Sequence, residues 1–182
     1  MKFTSKQILE QYVVGKDKNQ HQILENIFTD TAEVEFEINS EKISFPDKIR
    51  GNTDVAKILS KDFNKKYESV RTYYLEDVEP DTEKIDNQPW LVVMKEIGHD
   101  VTRIGTGHYN WRLCITESGL KVSKLKIYIH EMLELVDSKS IMLTEIQSKI
   151  EYPWSTKMAV RKALKPYKKL NIVAEYINKH IR

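Results

Sequence analysis

Residues 104–129 read IGTGHYNWRLCITESGLKVSKLKIYI, and this stretch decides the fold. Two apolar runs flank a turn at Thr116, Glu117, Ser118 and Gly119, the pattern of a long β-hairpin. Along the first run Tyr109, Trp111, Leu113 and Ile115 share one face, and His108, Asn110, Arg112 and Cys114 share the other. In the second run the phase changes: Leu120 and Val122 keep one register, whereas Leu125, Ile127 and Ile129 keep the opposite one. One extra residue near Ser123 and Lys124 reconciles the two phases, so a β-bulge that bends the sheet is expected there. Leu125, Ile127 and Ile129 require an apolar neighbour, which places the aromatic face inward. The opposite assignment would turn His108, Asn110 and Arg112 into the interior.

Upstream, Thr4 and Gln7 have capping-box spacing, and Ile8, Leu9, Tyr12 and Val13 follow on one helical face. Gly15 is a fitting helix end. Asp17 and Gln20 offer a second capping box ahead of a helix with Ile23, Leu24, Ile27 and Phe28. Thr29–Thr31 reads as a turn, and Ala32–Ile38 alternates as a half-buried strand. A polar loop covers 39–52, and Asn52 or Thr53 can cap a third helix bearing Val55, Ile58, Leu59 and Phe63. Ser69–Leu75 is a strand, 76–89 an acidic loop, and Trp90–Ile97 another strand. Beyond Val136 the pattern is helical. Ser138 or Ser140 can cap a segment with Met142, Ile146 and Ile150. Pro153 interrupts it, Ser155 can cap 156–164, and a last helix after Pro166 carries Leu170, Val173, Ile177 and Ile181.

The 182 residues fit one domain with an appendage, and 40% apolar with 31% charged residues exclude a disordered chain. Residues 153–182 hold eight Lys or Arg against Glu175 alone, a net +7, while the remainder carries −5. Cys114 is the only cysteine, which excludes an intrachain disulfide and suits a reducing compartment. There is no apolar signal core and no run of the ~20 apolar residues a membrane span needs. A cytoplasmic protein without membrane attachment is expected.

The order of helix, helix, strand, helix and four strands resembles the nuclear-transport-factor-2-like superfamily, in its SnoaL-like and ketosteroid-isomerase-like branch. Three segments carry the resemblance: YVVGKDKNQHQILENIFTDTAEVEF (12–36), IRGNTDVAKI (49–58) and GHYNWR (107–112) with the hairpin after it. It covers about residues 5–133. The resemblance implies an α+β fold in which a curved antiparallel sheet wraps around N-terminal helices as a cystatin-like cone. Residues 1–136 would form the cone domain and 137–182 a basic helical extension. It also implies a cavity inside the cone and a homodimer through the sheet.

By that resemblance Tyr12 matches a tyrosine that serves an oxyanion hole; a phenol packing on the sheet is the plainer reading. Phe36 falls where the isomerases keep their general-base carboxylate, so that mechanism does not carry over. Trp111 falls near their second donor, and an indole N–H donates a hydrogen bond without acting as an acid. Asp17 falls where many SnoaL-like members have an acid, and His21 lies one turn further; a helix cap and a surface histidine are the competing readings. The expected ligand site is Tyr12, Phe36, Tyr109 and Trp111, with Asp17, His21 and Tyr12 as candidates for lyase- or isomerase-type proton transfer.

No metal or cofactor is expected, because His21, His99, His108, His130 and His180 show no paired ligand spacing and no second cysteine exists. Gly105 and Gly107 begin a dinucleotide-like fingerprint but a strand follows them. The basic tail, with Trp154, Tyr167 and Tyr176, gives a second functional reading, a binding module that engages a partner. Its apolar Leu164, Leu170, Val173 and Ile177 favour packing on the body over nucleic-acid binding.

Overall fold

A computed structural model describes residues 3–180, the side chain of His180 excepted. Ile181, expected in the last apolar stripe, lies outside the described residues. The elements are α1 (Ser5–Asp17), α2 (His21–Ile27), β1 (Phe28–Ile38), β2 (Lys48–Arg50), α3 (Asn52–Ala56), β3 (Tyr67–Tyr74), β4 (Lys84–Glu96), β5 (Val101–Thr116), β6 (Gly119–Val136), α4 (Ile141–Lys149), α5 (Lys157–Leu164) and α6 (Asn171–His180). Six strands form one sheet in the order β2-β1-β6-β5-β4-β3. Every pair is antiparallel except the seam between β1 and β6, which is parallel. The expected cone of curved strands around the N-terminal helices is therefore present, with one parallel seam in it.

The hairpin β5–β6 carries the curvature. Arg112 pairs with Lys124 and Leu113 with Val122, so Ser123 is the extra residue at the expected bulge. Its hydroxyl donates to the Arg112 carbonyl at 3.0 Å, which fixes the kink. A second bulge, not evident in the sequence, falls at His130, because Thr106 pairs with Glu131 and Gly107 with Ile129. Gly107 is needed at this point. A Cβ there would stand 1.8 Å from the Tyr128 carbonyl oxygen and 2.8 Å from the Trp90 ring.

Both sheet faces are covered. The concave face packs on α1, α2 and α3 through a core rich in rings, including Tyr12, Phe28, Tyr74, Trp90, Tyr109 and Trp111. On the other face Tyr73, Leu91, Val93 and Ile104 meet Leu143, Ile146, Val160, Leu164, Leu170 and Val173 of the C-terminal helices. The tail helices thus sit on the body, as their apolar stripe requires.

Several local expectations change. Gly15 does not end α1, which runs on to Asp17; instead its missing Cβ admits the Leu24 side chain. Thr29–Thr31 belongs to β1, and β4 begins at Lys84 inside the acidic stretch. Gly51 precedes α3 without a side-chain cap, so neither Asn52 nor Thr53 caps it. α3 continues as a π turn over Lys57–Asp62 and a 3₁₀ turn over Phe63–Lys65. The N–H groups of Met142 and Leu143 donate to the Asp137 carboxylate at 3.3 and 3.0 Å, so Asp137 caps α4 in place of Ser138 or Ser140. Thr156, not Ser155, caps α5 by accepting from the Ala159 N–H. At α4 the cap thus comes from a residue at the end of β6 and not from the serines next to the helix, whereas at α5 it comes from the threonine immediately before the first turn.

Candidate functional site

Inside the cone lies a narrow cavity of about 40 Å³. Its wall is almost wholly apolar, with Phe36, Phe45, Phe63, Trp90, Val92 and Ile127 among its members. Phe36 and Tyr109 line it as the sequence suggests, and so does Tyr12 from α1. Trp111 does not reach the cavity. It is fully buried one layer behind, its ring set edge-on to Tyr12 at 5.0 Å. Tyr12 also meets Tyr109 edge-on at 5.7 Å. The aromatic face of β5 is therefore the inward one, and His108, Asn110 and Arg112 lie outside the cone.

The cavity has a polar end. Lys16, one turn beyond Tyr12, lines it with Thr72 of β3. The Lys16 ammonium donates to Asp17 Oδ1 at 2.5 Å and to Thr72 Oγ1 at 2.8 Å, and stands 4.9 Å from the Phe63 ring centroid. Both partners of this ion pair are buried, with side-chain exposures of 8% and 0%. A signal for Lys16 did exist. It lies three residues after Val13 and four after Tyr12, on the stripe the apolar periodicity marks as buried.

Asp17 is not a helix cap. Its Oδ1 accepts from Lys16 and from the Thr72 hydroxyl at 3.0 Å, and its Oδ2 accepts from the Thr72 N–H at 2.6 Å and the Tyr152 hydroxyl at 3.2 Å. Four donors fill the four acceptor positions of a carboxylate. The local Asp17-to-Gln20 pattern misled because α1 continues through Asp17 and carries its side chain under β3. Gln20 precedes α2 without a capping side chain. His21 opens α2, is not a member of the cavity wall, and is not among the partners of Asp17.

Burial sets the acid–base character of the site. Desolvation pushes the Tyr12 and Tyr109 phenols far above their ordinary value. They are donors held neutral, not bases. The indole N–H groups of Trp90, on the wall, and Trp111, behind it, have no acceptor among the described residues. Lys16, with one N–H beyond those given to Asp17 and Thr72, and Trp90, whose N–H has no acceptor among the described residues, both belong to the cavity wall. The Thr72 hydroxyl and the Asp17 carboxylate behind it are already engaged.

Outside the cone, Tyr128, His108, His130 and Tyr176 form a row of near-parallel rings on the convex face. Their centroids are 4.1 Å apart for Tyr128 and His108, 5.1 Å for the two histidines, and 4.5 Å for His130 and Tyr176. The second bulge brings His130 Nε2 to 3.1 Å from His108 Nδ1. No group of three or more His, Cys, Asp or Glu side chains able to hold a metal occurs among the described residues. No described helix is long and apolar enough to cross a membrane.

No protein-family model and no curated protein matches the sequence. Among solved structures, the chain is similar to a hexachlorocyclohexane dehydrochlorinase from Novosphingobium barchaimii LL02, with 17% identity and a TM-score of 0.51 over 70% of this chain and 85% of that one. It is likewise similar to a nuclear transport factor 2-like superfamily protein from Salmonella enterica serovar Typhimurium LT2, with 12% identity and a TM-score of 0.53 over 74% and 89% of the two chains. A protein from Kribbella flavida gives 14% identity and 0.53 over 70% and 88%. At these identities the likeness is one of fold. This chain has the NTF2-like cone fold, as the resemblance implies.

Proposed function

We propose that the protein binds a small, largely apolar molecule inside the cone, with Lys16 as its polar anchor. One observation carries this reading: a buried ammonium, held by Asp17 and Thr72, lines an otherwise apolar cavity. Burying this pair is costly, and packing alone would be served by an apolar side chain of similar volume. A ligand acceptor gives the remaining Lys16 N–H a purpose. The dehydrochlorinase neighbour agrees with a cone that admits small molecules, and fold alone does not assign its reaction here.

Among the proton-transfer candidates, saturated Asp17 serves to hold Lys16, and Tyr12 serves as a neutral donor. Any chemistry of the lyase or isomerase kind would use Lys16 and Tyr12 to stabilise developing negative charge on a ligand oxygen. The test is calorimetric titration of ring compounds into the wild type and Lys16→Met. Binding that weakens at least tenfold in the variant supports the anchor. Equal affinity removes it.

One observation favours a second reading, a partner-binding surface on the tail. Arg161, Lys162, Lys165, Lys168 and Lys169 are exposed and form no ion pair among the described residues. Most body cations lining β1, β4 and β5 are paired, as Lys48 is with Glu33 and Glu35. The tail aromatics are already engaged: Trp154 donates to Glu10 on α1, Tyr167 donates to Glu145 on α4, and Tyr176 stacks on His130. Without free rings for bases, an acidic protein segment fits this surface better than single-stranded nucleic acid. Titration with poly-glutamate and with oligonucleotides at two salt concentrations separates the two.

A further inference from the structure

The cavity as it stands has room for about three waters, which is too little for a ring compound. If the cone binds a small molecule, as proposed above, part of its wall must move. The structure identifies which part. Between Ile38 and Lys48 the chain crosses the cone, and Ile43 and Phe45 turn inward from it while Lys42, Ser44 and Pro46 are exposed. The segment is tied at its ends. The Asn39 N–H donates to the Ile129 carbonyl at 2.8 Å, the Phe36 N–H donates to the Asp47 carbonyl at 3.0 Å, and Arg103 donates to the Lys42 carbonyl. The backbone of Ile43, Ser44, Phe45 and Pro46 makes no hydrogen bond to any described residue. Side-chain packing alone holds it, and such a segment opens at low cost.

What lies on each side of it gives the motion a result. An outer cleft of about 420 Å³ is lined by Ile43, Phe45 and Phe63, which also line the inner cavity, and by Ile58, Asp62 and Tyr67. Phe45 therefore separates a space too small for a ligand from one of ligand size. Once its ring leaves, the two join into a site within the roughly 300–1,000 Å³ usual for small molecules. The π turn over Lys57–Asp62 contributes Leu59 to the inner wall and Ile58 to the outer one. Such turns recur at functional sites.

The place that Phe45 vacates has a defined shape. Its ring lies parallel to Phe36, with centroids 4.6 Å apart and planes 6° apart, and nearly parallel to Phe63 at 6.3 Å and 18°. We infer that residues 43–46 form a displaceable strap, and that Phe45 occupies the subsite of a flat ring in the ligand. The ligand's polar atom is a neutral acceptor oxygen facing Lys16. It is an acceptor because the cavity presents donors. It is neutral because Asp17 already balances the Lys16 charge, so a carboxylate would bring an uncompensated charge into the cone.

The test uses 2-acetonaphthone and 2-naphthoate as probes, titrated by calorimetry into the full chain, Phe45→Ala and the surface control Lys139→Ala, whose side chain is exposed and lines neither space. The expected result is 2-acetonaphthone binding about tenfold tighter to Phe45→Ala than to wild type, since the opening cost is removed. Lys139→Ala should match wild type, and 2-naphthoate should bind at least tenfold more weakly than the ketone. Equal binding of the ketone to wild type and Phe45→Ala overturns the strap and leaves the pocket reading standing. Tighter binding of the naphthoate overturns the neutral-acceptor assignment. Absence of binding to every folded variant overturns the pocket reading, and the strap with it. Should Phe45→Ala not fold, a crystal of the wild type with 2-acetonaphthone decides. The probe ring beside Phe36, with Phe45 displaced, supports the strap; Phe45 still stacked on Phe36 overturns it.

Discussion

The two faces of the sheet are packed by different chemistry. On the concave side the core is built of rings, eight of them buried aromatic side chains from Tyr12 to Trp111. On the convex side Tyr73 is the one buried ring of the core among the described residues, and Leu, Ile, Val and Ala fill the space under the C-terminal helices. Rings meet at edges and offsets and bring polar atoms with them, so a ring-built core leaves gaps and donors. Branched aliphatic chains interdigitate and bring neither. The concave side holds a cavity and a buried ion pair because it was built from parts that permit them, and the convex side acts as a clamp.

Substitutions can break that contrast, and the largest effect belongs to the concave wall. Gly107→Ala drives a methyl into the Tyr128 carbonyl and the Trp90 ring, and should cost about 5 kcal/mol or more, read as loss of cooperative unfolding in denaturant. Asp17→Ala leaves the Lys16 ammonium buried without its counter-ion and should lower stability by about 3–5 kcal/mol in the same measurement. Leu164→Ala, in the aliphatic core, should cost about 3 kcal/mol through an unfilled cavity. It should leave ligand affinity unchanged, and a loss of affinity would show that the two faces are coupled.

The phenols give a smaller, pH-dependent effect. Burial pushes Tyr12, Tyr74 and Tyr109 up from about 10, and pushes Tyr73 to about 12. Their folded values exceed the unfolded one, so their contribution to stability is complete below pH 10 and is lost as pH rises beyond it. Unfolding midpoints should fall from about pH 10 upward, with the phenolate absorbance of Tyr12, Tyr74 and Tyr109 appearing only as the protein unfolds. Lys48→Ala, on the exposed ladder with Glu33 and Glu35, should leave the melting temperature unchanged within error.

The hairpin was legible in the sequence because alternation and phase are local quantities, and Ser123 is where the phase break places the bulge. Phe36 and Tyr109 could be set on the cavity wall for the same reason. Asp17 could not be placed correctly. Its neighbours in sequence make a plausible cap, while its actual partners, Thr72 and Tyr152, are 55 and 135 residues away. Trp111 lies one layer deeper than its place on the aromatic face suggests, because alternation gives a face but not a depth. The approach of His108 and His130 arises from pairing between strands, so a search for short-range ligand spacing does not reveal it. The loop at 39–47 looked merely polar, and its inward Ile43 and Phe45 gain meaning only from the cone they cross.

The parallel seam has a consequence for synthesis on the ribosome. Phe28–Ile38 finds its neighbour across Val122–Ile129, some ninety residues later. Until β6 emerges, β1 has only the three residues of β2 beside it, and its other edge is open. Such distant pairing slows folding and exposes a strand edge meanwhile. A nascent chain stalled before Gly119 therefore carries an unpaired template for aggregation, and fragments ending there should require a chaperone that the full chain does not.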